Sequence, residues 1–132
     1  MASNLTFTGS AFAHAVNVAV ATANQTILTA DATFDRRIYG ISQTFVSGTP
    51  ASTPVIFLNN GTTNFAIGVG PSSTTSANTN TDIFGNSTLA SIFQKQRDAN
   101  GVPYFNLPAG WSINVTQSAA SINYVIFGEK YN

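Results

Sequence analysis

The sequence predicts an all-β chain, a jelly-roll-like antiparallel β-sandwich with one short helix. Three observations lead to this prediction. Apolar side chains alternate with small or polar ones over several short segments, as they do in strands that are buried on one face. Gly, Pro, Asn and Ser cluster between those segments, where the chain must turn. Ten Phe and four Tyr supply bulky side chains for a core between two sheets.

The N-terminal part of the chain predicts two strands. Over residues 11–21, bulky side chains from Phe12 to Val20 alternate with alanines and Asn17, which is the period of two typical of a strand. The many alanines leave a helix as the alternative for this segment. After turn-like residues at 23–25, residues 26–29 are predicted to form a short strand.

A longer strand is predicted over residues 37–46, with Tyr39, Ile41 and Phe45 on one face. A loop rich in Gly, Pro, Ser and Thr follows over residues 47–54.

The strongest hairpin signal joins residues 55–58 to residues 65–69. Both segments are apolar, and the link over residues 59–64 contains Asn60 followed by Gly61. An Asn-Gly pair suits the positive φ angles that a tight turn requires. We therefore expect two neighbouring antiparallel strands here.

Residues 70–81 and 86–97 are predicted to differ from the rest of the chain. Residues 70–81 contain only Gly, Pro, Ser, Thr, Ala and Asn, so we expect an exposed polar loop without core residues.

Residues 86–97 predict the short helix. Asn86 or Ser87 is the N-cap candidate. Leu89, Ile92 and Phe93 form the apolar stripe, and Lys95 and Arg97 are the cations of the last turn.

The C-terminal third predicts strands again. Residues 104–107 lead through a Pro-Ala-Gly turn into an alternating strand over residues 111–116. Residues 122–127 are apolar on both faces, which is typical of a central strand or of a subunit contact. All of residues 1–132 are expected to form one domain, since a second would be too small to hold its own core.

The low charge of the chain favours self-association. Charged residues make up 8% of the sequence and the net charge is zero, whereas 13 Ser, 17 Thr and 14 Asn supply a third of it. An ordinary soluble domain is about 25% charged. Copies of a neutral protein lack the long-range repulsion that keeps molecules apart. This composition therefore suits a subunit of an assembly.

The same composition argues against nucleic acid and membranes as partners. Five basic residues balanced by five acidic ones offer little to a phosphate backbone. No apolar run approaches the ~20 residues of a membrane span. The N-terminus lacks a basic region, and its apolar residues are interrupted by His14 and Asn17, so we expect no signal peptide.

The inventory of catalytic groups predicts that the chain is not an enzyme. The sequence has no cysteine, and its one histidine, His14, has no carboxylate or serine pattern nearby. The five acids are spread along the chain, whereas a glycosidase would need two of them about 5–9 Å apart. No run of acids suggests a metal site. We therefore expect no catalytic residues, no cofactor and no metal.

The densest charge cluster is Asp35, Arg36 and Arg37. The simpler interpretation is a solvated strand entry with local ion pairs. The functional interpretation is a set of assembly contacts with an acidic neighbour, either another copy or a larger scaffold, because paired arginines suit such interfaces. These three residues are the candidate site.

Several segments resemble small structural proteins of tailed bacteriophages. They are residues 4–9 (NLTFTG), 35–40 (DRRIYG), 97–101 (RDANG), 107–113 (LPAGWSI) and 127–131 (FGEKY). The Leu-Pro-Ala-Gly step into an apolar strand also recurs in jelly-roll domains that form trimers. Such phage proteins include capsid decoration, or cement, proteins. The resemblance implies a homotrimer that binds the major capsid protein and stabilises the outer shell.

Two functional hypotheses from different classes follow. The first is a non-enzymatic capsid decoration protein, made in the host cytoplasm and located on the virion surface. The alternative is a carbohydrate- or receptor-binding β module of a phage spike or fibre, in which Asn-rich loops and an exposed Tyr or Trp would bind the ligand. Trp111 shares its face with Ile113 and Val115, which favours a core position over a ligand platform.

Overall fold

The computed structural model describes residues 11–19, 22–45, 54–69, 80–82, 96–117 and 121–131. These residues are all-β and contain no helix. In this part of the chain nothing has the length and hydropathy that a membrane-spanning helix requires. The strands are β1 (Ala11–Val18), β2 (Thr22–Leu28), β3 (Asp35–Phe45), β4 (Val55–Asn59), β5 (Asn64–Val69), β6 (Asn80–Asp82), β7 (Gln96–Arg97), β8 (Pro103–Leu107), β9 (Ser112–Gln117) and β10 (Ile122–Tyr131).

The strands form two antiparallel sheets. The larger sheet has the order β1-β10-β3-β8-β7, with β6 also paired to β3, and the smaller has the order β2-β9-β4-β5. The pairs β1·β10, β2·β9, β3·β8 and β4·β5 nest inside one another along the chain and alternate between the sheets. A long hairpin rolled in this way is a jelly roll, and β6 and β7 are additions to it. The predicted jelly-roll-like sandwich is confirmed.

The core lies between the two sheets. Strand alternation directs every second side chain inward, and the inward positions are mostly aliphatic. Phe12, Val16 and Trp111 pack against the edges of this cluster. The buried cluster contains Val18, Ile27, Leu28, Ile38, Ile41, Ile56, Leu58, Ile67, Phe105, Leu107, Ile113, Val115, Ile122, Tyr124 and Ile126.

A chain of buried hydrogen bonds connects the sheets inside this core. The Tyr124 hydroxyl on β10 donates to Gln117 Oε1 on β9 at 2.9 Å, and Gln117 Nε2 donates to the Val18 carbonyl of β1 at 3.1 Å. Burial raises the pKa of Tyr124, so its hydroxyl stays a donor. Because a buried polar group is stable only when it is bonded, this bridge favours a single alignment of the two sheets.

The hairpin predicted around Asn60-Gly61 is present as β4 and β5. Gly61 has a φ of +100°, a conformation that other residues rarely adopt. Two asparagines hold the turn. Asn59 Oδ1 accepts the Gly61 N–H at 2.7 Å, and Asn60 Oδ1 accepts the N–H groups of Thr62 and Thr63 at 3.0 and 2.8 Å.

The end of the predicted helix over residues 86–97 was wrong. Gln96 and Arg97 form β7, which pairs with β8, while residues 86–95 lie outside the described residues. The reason is the turn that follows. Asp98 Oδ1 accepts the Asn100 and Val102 N–H groups, both at 2.9 Å, and so closes a β-hairpin.

The end of the predicted polar loop over residues 70–81 was also wrong. Asn80 and Thr81 belong to β6, which pairs with the second half of β3. Residues 70–79 lie outside the described residues. Thr favours strands, and an open partner edge on β3 outweighs the local polarity of the segment. That residues 1–132 form one domain stays a prediction.

Replacing Tyr124 by Phe should lower the free energy of unfolding by about 1 kcal/mol, because it removes a buried hydrogen bond that joins the sheets. Urea unfolding of both proteins measures the difference. The matched control is Tyr104→Phe, whose hydroxyl donates to the exposed Gln96 at 3.1 Å and can be replaced there by water. An equal loss in both variants would contradict a structural role for the bridge.

Candidate functional site

Most charged side chains of the described residues lie near the start of β3 and the end of β10. The β3–β10 register places Arg37 opposite Glu129 and Arg36 opposite Lys130. Because neighbours along a strand point to opposite faces, the first pair lies on the outer face of the larger sheet and the second points between the sheets. The β2–β3 loop and the β7–β8 hairpin add acidic groups to this region.

Arg37 is held on the outer face by three groups. Its Nη1 lies 3.4 Å from Glu129 Oε1, and its guanidinium carbon lies 4.9 Å from the centre of the Tyr104 ring. The Tyr39 ring packs against the same Tyr104 ring at 5.7 Å between centroids. These contacts leave the Arg37 side chain 31% exposed. Its charge is therefore largely neutralised within the chain.

The Tyr39 hydroxyl lies between two carboxylates. It is 3.1 Å from Glu129 Oε1 and 3.3 Å from Asp98 Oδ2, and its proton can be donated to only one of them at a time. Burial, together with the nearby Glu129 and Asp98, raises the pKa of Tyr39 to about 12. Sequence analysis did not predict that these two distant acids meet.

The face predicted for Tyr39 was wrong. Tyr39 was placed beside Ile41, but it joins Arg37 and Glu129 on the outer face while Ile41 lies in the core. The β3–β10 register shifts between Phe127 and Gly128, so β3 contains one extra residue and its alternation reverses. The isolated Gly40 in a predicted strand was the signal, because such a glycine often marks a bulge.

The Asp98 and Glu129 carboxylates, which meet at Tyr39, invite comparison with the acid pair of a glycosidase. A glycosidase keeps one carboxyl protonated by raising its pKa. Here the backbone N–H of Val102 lowers the pKa of Asp98, and the N–H of Asn100 adds to this effect. Arg37 faces the other carboxylate. Elsewhere in the described part of the chain, no three His, Asp or Glu side chains group as a metal site would.

Asp31 joins three segments at the inner end of the site. Its Oδ1 accepts the N–H groups of Thr33 and Phe34 at 2.9 and 3.0 Å, and its Oδ2 lies 3.0 Å from Lys130 Nζ. The Asp31 carbonyl accepts the Gly110 N–H at 2.8 Å. The two backbone donors, followed by Lys130, hold the pKa of Asp31 well below its usual range.

Arg36 is a buried cation. It is 4% exposed, and its Nη2 donates to the Trp111 carbonyl at 2.9 Å. Its buried Nε finds no hydrogen-bond partner among the described residues. Burial lowers the pKa of Arg36 from its ordinary value. The side chain lines a cavity of about 220 Å³ together with Phe12, Ala13, His14, Leu28 and Lys130.

The three predicted assembly contacts are thus all bonded within the chain. Asp35 Oδ1 accepts the Ala109 N–H at 2.8 Å, Arg36 bonds to a carbonyl, and Arg37 faces Glu129. Arg36 has almost no surface to present to another protein. That Asp35, Arg36 and Arg37 contact an acidic neighbour stays a prediction, and Arg37 has the most accessible charge of the two arginines.

Beyond this charged region, the outer face of β1, β10 and β3 carries uncharged residues, and Asp82 of β6 pairs with Ser42 at the edge of this surface. Successive residues of β1, β10 and β3 lie side by side there in three rows. Phe127, at the centre of the first row, is 45% exposed. We call this surface the uncharged face. Its first row is Ala13, Phe127 and Gly40, its second row is Ala15, Val125 and Ser42, and its third row is Asn17, Asn123 and Thr44.

The smaller sheet carries amides and an aromatic pair instead. Asn59 Nδ2 donates to Asn64 Oδ1 at 2.8 Å, and Asn114 Nδ2 donates to Asn24 Oδ1 at 3.1 Å. At the end of the sandwich the rings of Phe65 and Trp111 stack at 5.7 Å with an angle of 20°. Trp111 also packs against the core, as its alternation predicted, whereas Phe65 is 45% exposed.

Comparison with known proteins adds little to this geometry. No protein-family model matches the chain, and no curated protein matches it. A chain from the structure of infectious bursal disease virus Gt strain matches with a TM-score of 0.33 and 13% identity. The match covers 92% of this chain and 32% of the viral chain. The similarity is weak, and it does not point to phage decoration proteins specifically.

The low pKa of Asp31 predicts a stability that depends on pH. Since the folded carboxyl has the lower pKa, its stabilisation is complete above the ordinary carboxyl range and is lost progressively as the pH falls below about 5. Asp31→Asn should remove that part of the pH dependence. Urea unfolding at several pH values measures it.

A second variant tests whether the backbone N–H groups or Lys130 lower the pKa of Asp31 more. Because the backbone N–H groups lower the pKa of Asp31 more than Lys130 does, Lys130→Gln should reduce the pH dependence only in part. An unchanged pH profile in Asp31→Asn, or the same profile in both variants, would contradict this account.

Proposed function

We propose that this chain is a non-enzymatic structural protein of a virus particle, and more narrowly a capsid decoration protein of a tailed bacteriophage. In this role it forms a homotrimer, binds the major capsid protein and braces the capsid from its outer surface. It takes no cofactor and catalyses no reaction. The observation that carries the proposal is the uncharged face.

The uncharged face is suited to contact with another protein. Two rows of mostly small or apolar side chains and one row of polar, uncharged ones lie side by side across three strands, and Phe127 is exposed in the first row. Large exposed apolar side chains in a flat setting mark interaction surfaces, and aromatic residues are enriched at the centres of interfaces. Burial of these rows removes none of their own side chains as a charged group from water, because all nine residues are uncharged. We assign the face to the contact between copies of the chain.

Fold, composition and resemblance support the location in a virion. Jelly rolls form many viral capsid domains, although lectins and enzymes use the same fold, so the fold alone decides nothing. A charge content of 8% suits a subunit that assembles rather than one that must stay dispersed. The resemblance of five segments to phage structural proteins narrows the proposal to a decoration protein.

The Asp98–Glu129 pair supports the non-enzymatic part of the proposal. Both carboxylates lie within hydrogen-bonding distance of Tyr39, and Asp98 is held in its ionised form. A carboxylate held ionised in this way is a poor proton donor. Glu129 lies beside Arg37 and forms a structural ion pair with it.

Replacing Phe127 by Asn should weaken self-association by about ten- to a hundredfold, because a buried Phe contributes about 1.5–3 kcal/mol. Sedimentation equilibrium of the full chain measures the trimer. The matched control is Val102→Asn, since Val102 is 43% exposed but lies in the β7–β8 turn and does not belong to the rows of this face. A monomer before any substitution, or an equal effect of both variants, would contradict the proposal.

The capsid partner needs a separate experiment. Purified chain is mixed with phage capsids that lack a decoration protein, and the bound fraction and the thermal stability of the capsids are measured. Binding with stabilisation is expected. A stable trimer that binds no capsid would leave self-assembly in place and reject the decoration role.

The Phe65–Trp111 pair favours a second candidate function, carbohydrate binding. Amides on the neighbouring sheet face and an exposed aromatic ring are groups that can hydrogen-bond and stack against a sugar. In this case a glycan array should show a saccharide preference that Phe65→Ala abolishes and that Phe34→Ala, with Phe34 41% exposed elsewhere, leaves unchanged. A decoration protein should show no preference.

A further inference from the structure

The cavity beside Arg36 lies where the two sheets separate. β1 and β2 are the outermost strands of their sheets in the described part of the chain, and the cavity opens between them. Phe12 of β1 and Leu28 of β2 form apolar walls, and Arg36 of β3 and Lys130 of β10 lie on adjacent strands of the larger sheet. The exposed His14 stands at its rim. The cavity is therefore apolar on its sides and cationic at its base.

No salt bridge among the described residues includes Arg36. A guanidinium that is 4% exposed has lost nearly all its water, yet its hydrogen-bond partner is the neutral Trp111 carbonyl. The charge of Asp31 favours the Arg36 cation, but the Asp31 carboxylate already accepts two N–H groups and pairs with Lys130. A buried cation without an anion is strongly unfavourable, as is a buried N–H without an acceptor. Arg36 Nε has no acceptor among the described residues.

We propose that this cavity binds a small monocarboxylate with an apolar body. The carboxylate accepts hydrogen bonds from Arg36, whose planar guanidinium matches the spacing of two carboxylate oxygens. The apolar body lies between Phe12 and Leu28. This assignment is independent of the proposed assembly role, since no other copy of the chain takes part in it.

The size of the cavity limits the ligand. A cavity of ~150 Å³ lined by apolar side chains holds one benzene molecule, so about 220 Å³ holds roughly nine non-hydrogen atoms. Benzoate has this size and carries the required charge. The cavity is too small for a folded partner, and an acidic side chain of another protein would fill only part of it. A free small carboxylate is therefore the better fit.

The test is an NMR titration of the ¹⁵N-labelled full chain with benzoate. Binding should shift the amide signals of the residues that line the cavity, and benzamide should bind about ten- to a hundredfold more weakly, because it has the same shape without the charge. Arg36→Met should reduce benzoate affinity by a similar factor. Arg97→Met is the matched control, since Arg97 is an exposed arginine bonded to the Gly101 carbonyl at 2.8 Å.

Three outcomes would overturn the proposal. They are no saturable benzoate binding, equal affinity for benzoate and benzamide, and benzoate affinity that Arg36→Met leaves unchanged. A short acidic peptide that shifts the same signals while benzoate does not would assign the cavity to a protein partner instead. If Arg36→Met does not fold, the comparison of benzoate with benzamide on the unaltered chain decides. None of these results depends on whether the chain forms a trimer.

Discussion

A single extra residue in β3 determines where the charges of this chain lie. The register of β3 against β10 shifts between Phe127 and Gly128, and the alternation of β3 reverses at that point. Ile38 and Ile41 both reach the core although they are three positions apart, which an unbroken strand does not allow. Without the bulge Arg37 would point inward and Arg36 outward. The bulge therefore decides which arginine is buried.

The reversal has consequences on both faces of the larger sheet. On the outer face it brings Tyr39 next to Arg37, so that the hydroxyl meets Glu129 and Asp98. On the inner face it directs Arg36 toward the gap between β1 and β2. Lys130 lies there as well, because the same register pairs it with Arg36. If the gap between β1 and β2 closed, the Arg36 charge would lose its remaining contact with water, so the cation disfavours closure of the gap. The cavity and the ion-pair cluster thus have one origin.

Local patterns in the sequence predict those parts of the fold that local forces determine. The β4–β5 hairpin follows from Asn-Gly, and the inward face of β9 follows from Trp111, Ile113 and Val115. β7 was missed because its residues suit the last turn of a helix, and only the Asp98 turn and pairing with β8 make them a strand. Propensity is a weak guide where a partner strand supplies the hydrogen bonds.

The candidate site could be predicted only in part, for a related reason. The cluster of Asp35, Arg36 and Arg37 is visible in the sequence, but its chemistry depends on Glu129, Lys130 and Asp98, which lie far away along the chain. Their meeting results from strand pairing over long separations, and a bulge changes the outcome by one residue. Gly40 and Gly128 mark the place. A Cβ at Gly128 would clash with the Arg37 backbone carbonyl oxygen of β3 and would come within 2.9 Å of the Phe12 ring, so the close approach of β3 there requires glycine.

The distribution of charge connects the two proposals. A chain with so few charged residues could scatter them over its surface for solubility, but most of those described here lie around one end of β3 and β10, where Arg37 pairs with Glu129 and Lys130 with Asp31. The rows of the uncharged face on β1, β10 and β3 are then left without charge, and a surface of this kind buries readily against another protein. The same concentration leaves Arg36 inside, since the local carboxylates are already bonded. An uncharged face that suits contact between copies and a cationic cavity that suits a carboxylate are thus two results of one arrangement.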